Sequence, residues 1–176
     1  PVLDYEGTPL PIYDTTFTFG WRDVEAARQD GGWQYLDAAT RDNGNRRIIE
    51  KLEDLVVNGD TKFNVSGAQV YGLRTAPGRA TGLFGNFDLV TATGAQWVTA
   101  ITKVLQGLQA KNYYGGVTVY LNYGDWFAMS VADYVTAAPQ NTILTRIMAI
   151  PGVLAIVPST AVPANEILAV VKERRV

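Results

Sequence analysis

The chain contains no cysteine and no histidine. Without cysteine there are no disulfides, no thiolate nucleophile and no thiolate zinc site. Without histidine, the usual general base and the usual ligand of catalytic zinc are missing. The few serines, Ser66, Ser130 and Ser159, have no imidazole to activate them. Neither the dinucleotide fingerprint nor the phosphate-loop motif is present. Arg74 and Arg79 near the glycines of "PGRATGLFGNFD", Pro77–Asp88, could touch phosphate, and turn chemistry accounts for those glycines at least as well. The apolar tail from Gly152 to Val171 is interrupted by Pro158, Pro163, Asn165 and Glu166, so it is not a membrane span. No compact basic run precedes the short "KERR" at Lys172–Arg175, a weak signal for nucleic acid. No signal peptide is visible at the start, and the first residue is Pro1 rather than methionine. The expectation is a processed chain or a piece of a longer one.

What is present is globular. The 176 residues are 47% hydrophobic and 18% charged, enough for one domain with a core, or a domain with an appended arm. The small net charge of −2 hides an asymmetry. Residues 1–60 hold twelve acids and six bases, a net of −6, whereas residues 61–176 hold five acids and nine bases, a net of +4. Opposite ends of this kind orient copies of a chain head to tail.

Periodicity divides the chain. Phe17, Phe19 and Trp21 alternate with Thr16, Thr18 and Gly20, the period of a strand with one apolar face. With Gly7, Pro9 and Pro11 before them, Val2–Tyr5 and Tyr13–Trp21 are expected to form the arms of a long hairpin, and residues 23–34 a polar turn. From Leu36 to Val57 the pattern is helical. Asp37 is the expected cap, Ile48, Ile49, Leu52, Leu55 and Val56 form an apolar stripe, and Asn58-Gly59 supplies the stop. Gly44 is expected to weaken or bend the middle of this helix, at a cost of roughly 1 kcal/mol against alanine. Residues 60–94 read as short strands and loops. Helices follow at about Ala95–Ala110, Asp125–Val135 and Asn141–Ile150, the first with Trp97, Ile101, Leu105 and Leu108 on one side. The last turns Ile143, Leu144, Ile147 and Met148 inward. Strands are expected at "GGVTVYLN", Gly152–Val157 and Ile167–Lys172. The fold class is α+β with an arm.

Two clusters invite chemistry. Glu50, Glu53 and Asp54 lie at i, i+3 and i+4 and share a helical face. A carboxylate-bridged metal site takes acids and histidines from several helices, which this sequence does not offer. A two-carboxylate hydrolase needs no histidine, but it requires a cleft and a second acid at a set separation. A solvated helix face, with Arg46 and Arg47 one turn earlier, is the simpler account. Phe17, Phe19 and Trp21 are the second cluster. As a platform they would stack on sugars or bases, the latter without the basic groove that single strands need; as a strand face with no local core residues over it, they would be buried against protein of another chain. No catalytic, cofactor-binding or metal-binding residue is assigned, and no cofactor is expected.

The stretch from "PVLDYEGTPLPIYDTTFTFGWRD" to "IIEKLEDLVVNG" resembles the central segment of encapsulin-like major capsid proteins of tailed phages. The likeness lies in an extended loop, Arg22 in the turn, the Leu36-Asp37 helix start, and the close at Glu53-Asp54 and Val56–Gly59. "VYGLRTAPGR", "QWVTAITKVLQGLQAKNYYGGVTVYLNYGDWFAMSVADY" and "TILTRIMAIPGVLAIVPSTAVPANEILAVV" are similar to the elements that follow in that family. The resemblance implies a Hong Kong 97-type capsid fold. Its parts would be a β-hairpin extended loop (1–34), a peripheral domain with the long spine helix (35–94), a mixed α/β axial domain (95–160) and a return strand (161–176). It also implies a non-enzymatic shell protein of a phage virion, assembled in the bacterial cytoplasm as hexamers and pentamers around double-stranded DNA, which it touches non-specifically. No membrane partner is implied. An encapsulin compartment is the alternative, and a carboxylate hydrolase or carbohydrate-binding module the alternative of another class. The family's N-terminal arm and C-terminal end are missing, so a fragment is expected. Residues 1–50 hold no lysine, so no lysine–asparagine crosslink is expected from the loop. The expected assembly interface comprises Phe17, Phe19, Trp21, Arg22, Glu50, Glu53 and Asp54.

Overall fold

Helix α1 begins where the Gly20 carbonyl accepts hydrogen bonds from the amides of Asp23 and Val24, and it runs over Trp21–Gln29. The computed structural model describes residues 9–29, 31–65, 67–134 and 141–171. They form an α+β protein whose chain divides into two compact units, Pro1–Ala76 and Pro77–Val176.

The first unit departs from the expected hairpin. Val2–Tyr5 lies outside the described residues, and residues 9–20 form neither helix nor strand. Residues 23–34 are not a turn either: most belong to α1 and to the start of α2, Trp33–Asn58. The physical reason is local. Glu25, Ala26, Ala27, Arg28 and Gln29 are good helix formers, so Trp21 opens a helix rather than closing a strand. A strand also needs a ladder partner, and none pairs with residues 9–20 among the described residues.

Helix α2 spans 26 residues without interruption. Its expected cap is corrected. The helix starts at Gly32, whose carbonyl accepts from Tyr35 and Leu36, while Asp37 sits inside it and pairs with Arg41 at 3.0 Å. The stop is where the sequence puts it. Gly59 has φ of 73°, and its amide donates to the Leu55 carbonyl. Strands β1 (Gly59–Val65) and β2 (Ala68–Tyr71) then pair antiparallel, with an irregularity between Asp60 and Asn64.

The second unit is built on a three-stranded sheet. Helix α3 (Gly94–Gln109) precedes strand β3 (Val117–Leu121). Helices α4 (Tyr123–Val131) and α5 (Ile143–Met148) then lead to β4 (Val153–Pro158) and β5 (Ile167–Val171). Strand β3 is central, parallel to β4 and antiparallel to β5. Its Val117, Val119 and Leu121 are buried while Thr118 and Tyr120 are not, the alternation expected of a pleated strand with one covered face. Trp97, Ile101, Met129, Ile143 and Ile147 pack over that face, with Leu89 from the preceding loop. Thr93 and Gln96 form a reciprocal cap at the start of α3, and Asn122 and Thr142 cap α4 and α5. Ile143 and Ile147 are buried and Leu144 is half-buried against the same core, whereas Met148, expected inward, is exposed at the last residue of α5.

Candidate assembly surface

The apolar residues of α2 divide between two faces. Ile48 and Leu55 are half-buried within the first unit and Val57 is buried. Ile49, Leu52 and Val56 are 64%, 44% and 60% exposed. Spaced three and four apart, these three form a continuous apolar line on the helix surface. The single stripe read from the sequence is therefore two, and among the described residues only one is covered.

The acids lie beside this line. Glu50 accepts a hydrogen bond from Arg46 at 2.8 Å, Glu53 is exposed, and Asp54 accepts from Lys51 at 3.3 Å and from Asn58 at 2.7 Å. The Asn58 and Lys51 donors hold the Asp54 carboxyl below its ordinary range, and Asp54 in turn raises the Lys51 ammonium. A general acid of a two-carboxylate hydrolase needs the opposite shift, which burial produces. Among the described residues, no group of acids is placed to hold a metal ion.

Asn58 ties the acid end of α2 to the chain that follows the hairpin. Its side-chain oxygen accepts from Arg74 Nη1 at 2.5 Å, and its backbone carbonyl accepts from Thr75 Oγ1 at 3.2 Å. The last carbonyls of α2 are satisfied in the same place: Val56 accepts from the Leu73 amide and Val57 from the Arg74 amide, at 2.9 and 2.8 Å. The close approach requires Gly72, because a Cβ there would lie 2.6 Å from the Val57 carbonyl oxygen. Arg74, considered for phosphate, is thus committed to the helix end. Around Arg79, residues 77–88 form neither helix nor strand, and Lys111 donates to the Gly78 and Arg79 carbonyls.

The aromatic cluster does not form one platform. Phe17 lies on α2 at Gly44, Phe19 is half-buried, and Trp21 is 74% exposed at the start of α1 with the Arg22 guanidinium 5.4 Å from its ring centroid. The helix continues through Gly44, which makes the seat on which Phe17 rests. The structure thus brings Phe17 to the acidic helix, and it leaves Trp21 and Arg22 as a separate exposed pair.

Asp125 was not legible as a special residue in the sequence. It is fully buried at the first turn of α4. Oδ2 accepts from the Asn165 amide at 2.8 Å, and Oδ1 is buried without a hydrogen-bond partner among the described residues. Asn165 has φ of 62°, and its side-chain oxygen accepts from the Leu89 amide at 3.0 Å. Burial pushes the Asp125 carboxyl above its ordinary range; the Asn165 amide opposes that shift and nearby Asp88 adds to it. An Asp three residues after an N-cap Asn is the only sequence signal, and it suggests a solvated helix start rather than a buried acid.

Charge follows the two units. Residues 1–76 hold twelve acids and eight bases, a net of −4, and residues 77–176 hold five acids and seven bases, a net of +2. A family model described as "Family of unknown function (DUF6260)" matches residues 2–176. No curated protein matches the chain.

Proposed function

We propose that this chain, which belongs to the DUF6260 family, is a structural subunit that assembles with copies of itself into a closed shell. The observation that carries this reading is the apolar line Ile49–Leu52–Val56 on a 26-residue helix, left exposed among the described residues. Single exposed apolar residues are ordinary on a protein surface, whereas an aligned set on a rigid element is the form taken by a contact with protein. Exposed Trp21, beside Arg22, adds a second anchor of the residue types enriched at interfaces. The opposite net charges of the two units favour head-to-tail neighbours.

In its finer form, the reading is a Hong Kong 97-type capsid protein. The order of elements supports it: an irregular leading segment, a long helix closed by Glu53-Asp54 and Asn58-Gly59, a short hairpin, then a mixed α/β unit. In that arrangement α2 is the spine helix of a peripheral domain and the second unit is the axial domain. Copies would form hexamers and pentamers of a phage head around double-stranded DNA. An encapsulin compartment shares the architecture and differs in cargo.

Electron microscopy of the full-length product tests the reading by showing whether shells form and whether they hold DNA or protein. Trp21→Asp, at an exposed position, is expected to prevent particle formation while the circular dichroism of the chain is unchanged. Particles of native size from Trp21→Asp would remove Trp21 from the interface. A full-length product that stays monomeric at every concentration would remove the assembly reading.

A further inference from the structure

We propose that α2 pairs antiparallel with α2 of a second copy about a two-fold axis, packing Ile49 and Leu52 at the centre and setting Arg46 against Glu53 of the partner subunit. The inference deepens the self-assembly reading, since it names one contact by which copies join.

Ile49, Leu52 and Val56 recur at three and four residues, so they occupy the alternating seam positions of a helix that pairs with another helix. All three are exposed, so the seam has no occupant among the described residues. Asn45 continues the seam on one side with a polar residue, and Gly59 ends the helix on the other. The apolar overlap therefore runs from about Asn45 to Val56, roughly 18 Å of helix.

Charge selects both the occupant and its direction. Arg46 and Glu53 are seven residues apart, so they stand one above the other along the same edge of the seam. A parallel copy would set Arg46 level with Arg46 and Glu53 level with Glu53. An antiparallel copy reverses the order, and each Arg46 then faces a Glu53 across the seam, twice by symmetry. The face is thus complementary to itself in one orientation only. Arg46 already donates its Nε–H to Glu50 at 2.8 Å, and Glu53 too is engaged within its own copy; a guanidinium carries five N–H donors and a carboxylate several acceptor positions, so each can add the partner's group while keeping its first contact. Three large apolar side chains per copy are fewer than a stable free dimer uses, so the contact is weak alone and effective where many copies are held together.

Sedimentation equilibrium of the chain over a range of concentrations tests the pairing. The expected result is a monomer–dimer equilibrium that Leu52→Asp weakens by about tenfold or more. Arg46→Glu and Glu53→Arg should each weaken it by about threefold, and the doubly reversed chain should regain wild-type association. Because the chain has no cysteine, mixing Arg46→Cys and Glu53→Cys chains reads the direction: oxidation should join unlike chains in preference to like ones. Unfolding midpoints of the variants separate lost pairing from lost fold. The proposal is overturned if Leu52→Asp associates as the wild type does, if the double reversal fails to restore association, or if like chains crosslink preferentially. Shells that form normally from Leu52→Asp would remove this pairing and leave the assembly reading standing. Dimers without shells from the full-length product would do the reverse.

Discussion

The ring of Phe17 rests on the backbone of α2 at Gly44, in the space that a side chain at position 44 would fill. Alanine favours a helix interior over glycine by about 1 kcal/mol, yet Gly44→Ala is expected to destabilise the first unit, because the new methyl displaces Phe17. In a Phe17→Ala background the sign should invert, and Gly44→Ala should stabilise by about 1 kcal/mol. Urea denaturation of the four chains gives the cycle directly. Equal effects of Gly44→Ala in both backgrounds would show that Phe17 does not hold the seat.

Asn58 bridges Asp54 and Arg74 within a part-buried knot. Asn58→Ala removes both bonds and is expected to cost about 1–3 kcal/mol. It should also let the Asp54 carboxyl return toward its ordinary value, since Asn58 is the largest cause of its depression. The sign follows: a folded-state value below the unfolded one stabilises above pH 3.8, and this contribution is lost as pH falls through the folded value. The Asp54 side chain is 45% exposed, so solvent keeps the effect small. Carbon-detected NMR titration of Asp54 in both chains is the measurement. An unchanged titration would separate Asn58 from the Asp54 shift.

Asp125 runs the other way. Its folded value is raised by burial, so its contribution is fully present below pH 3.8 and is lost as pH rises through the folded value. Asp125→Asn cannot ionise and should lack that decline. Chemical denaturation between pH 4 and pH 8 should show wild-type stability falling with pH relative to the Asn variant. Parallel curves would mean that Asp125 has the same proton affinity folded and unfolded.

Thr93 accepts the Gln96 amide while Gln96 caps the Thr93 amide. Thr93→Ala should lower stability by about 0.5–2 kcal/mol, and Thr93→Ser should restore most of it. Thermal unfolding distinguishes the two. A Ser variant no better than Ala would mean that the hydroxyl is not the stabilising group.

Much of the second unit was legible. Val117, Val119 and Leu121 alternate in sequence and in burial, and Trp97 and Ile101 face the core as helical spacing requires. The leading segment was not. Phe17, Phe19 and Trp21 alternate like a strand, but a strand exists only with a ladder partner, and the residues after Gly20 prefer helix. The acids were legible as a helical face. Their Asn58 link to Arg74, sixteen residues on, depends on a chain reversal that spacing does not reveal.

By itself the sequence determined composition, periodicity and stops: no thiol or imidazole chemistry, a long helix ending at Asn58-Gly59, and an α/β body. These follow from residue types and their local spacing, which act over a few residues. Tertiary structure decided which apolar residues are spent inside. Ile48 and Leu55 are half-buried while Ile49, Leu52 and Val56 stay exposed, because among the described residues one side of α2 meets the rest of its unit. It also buried Asp125 and set Phe17 on Gly44, since both depend on segments brought together across the chain, where no local pattern records the contact.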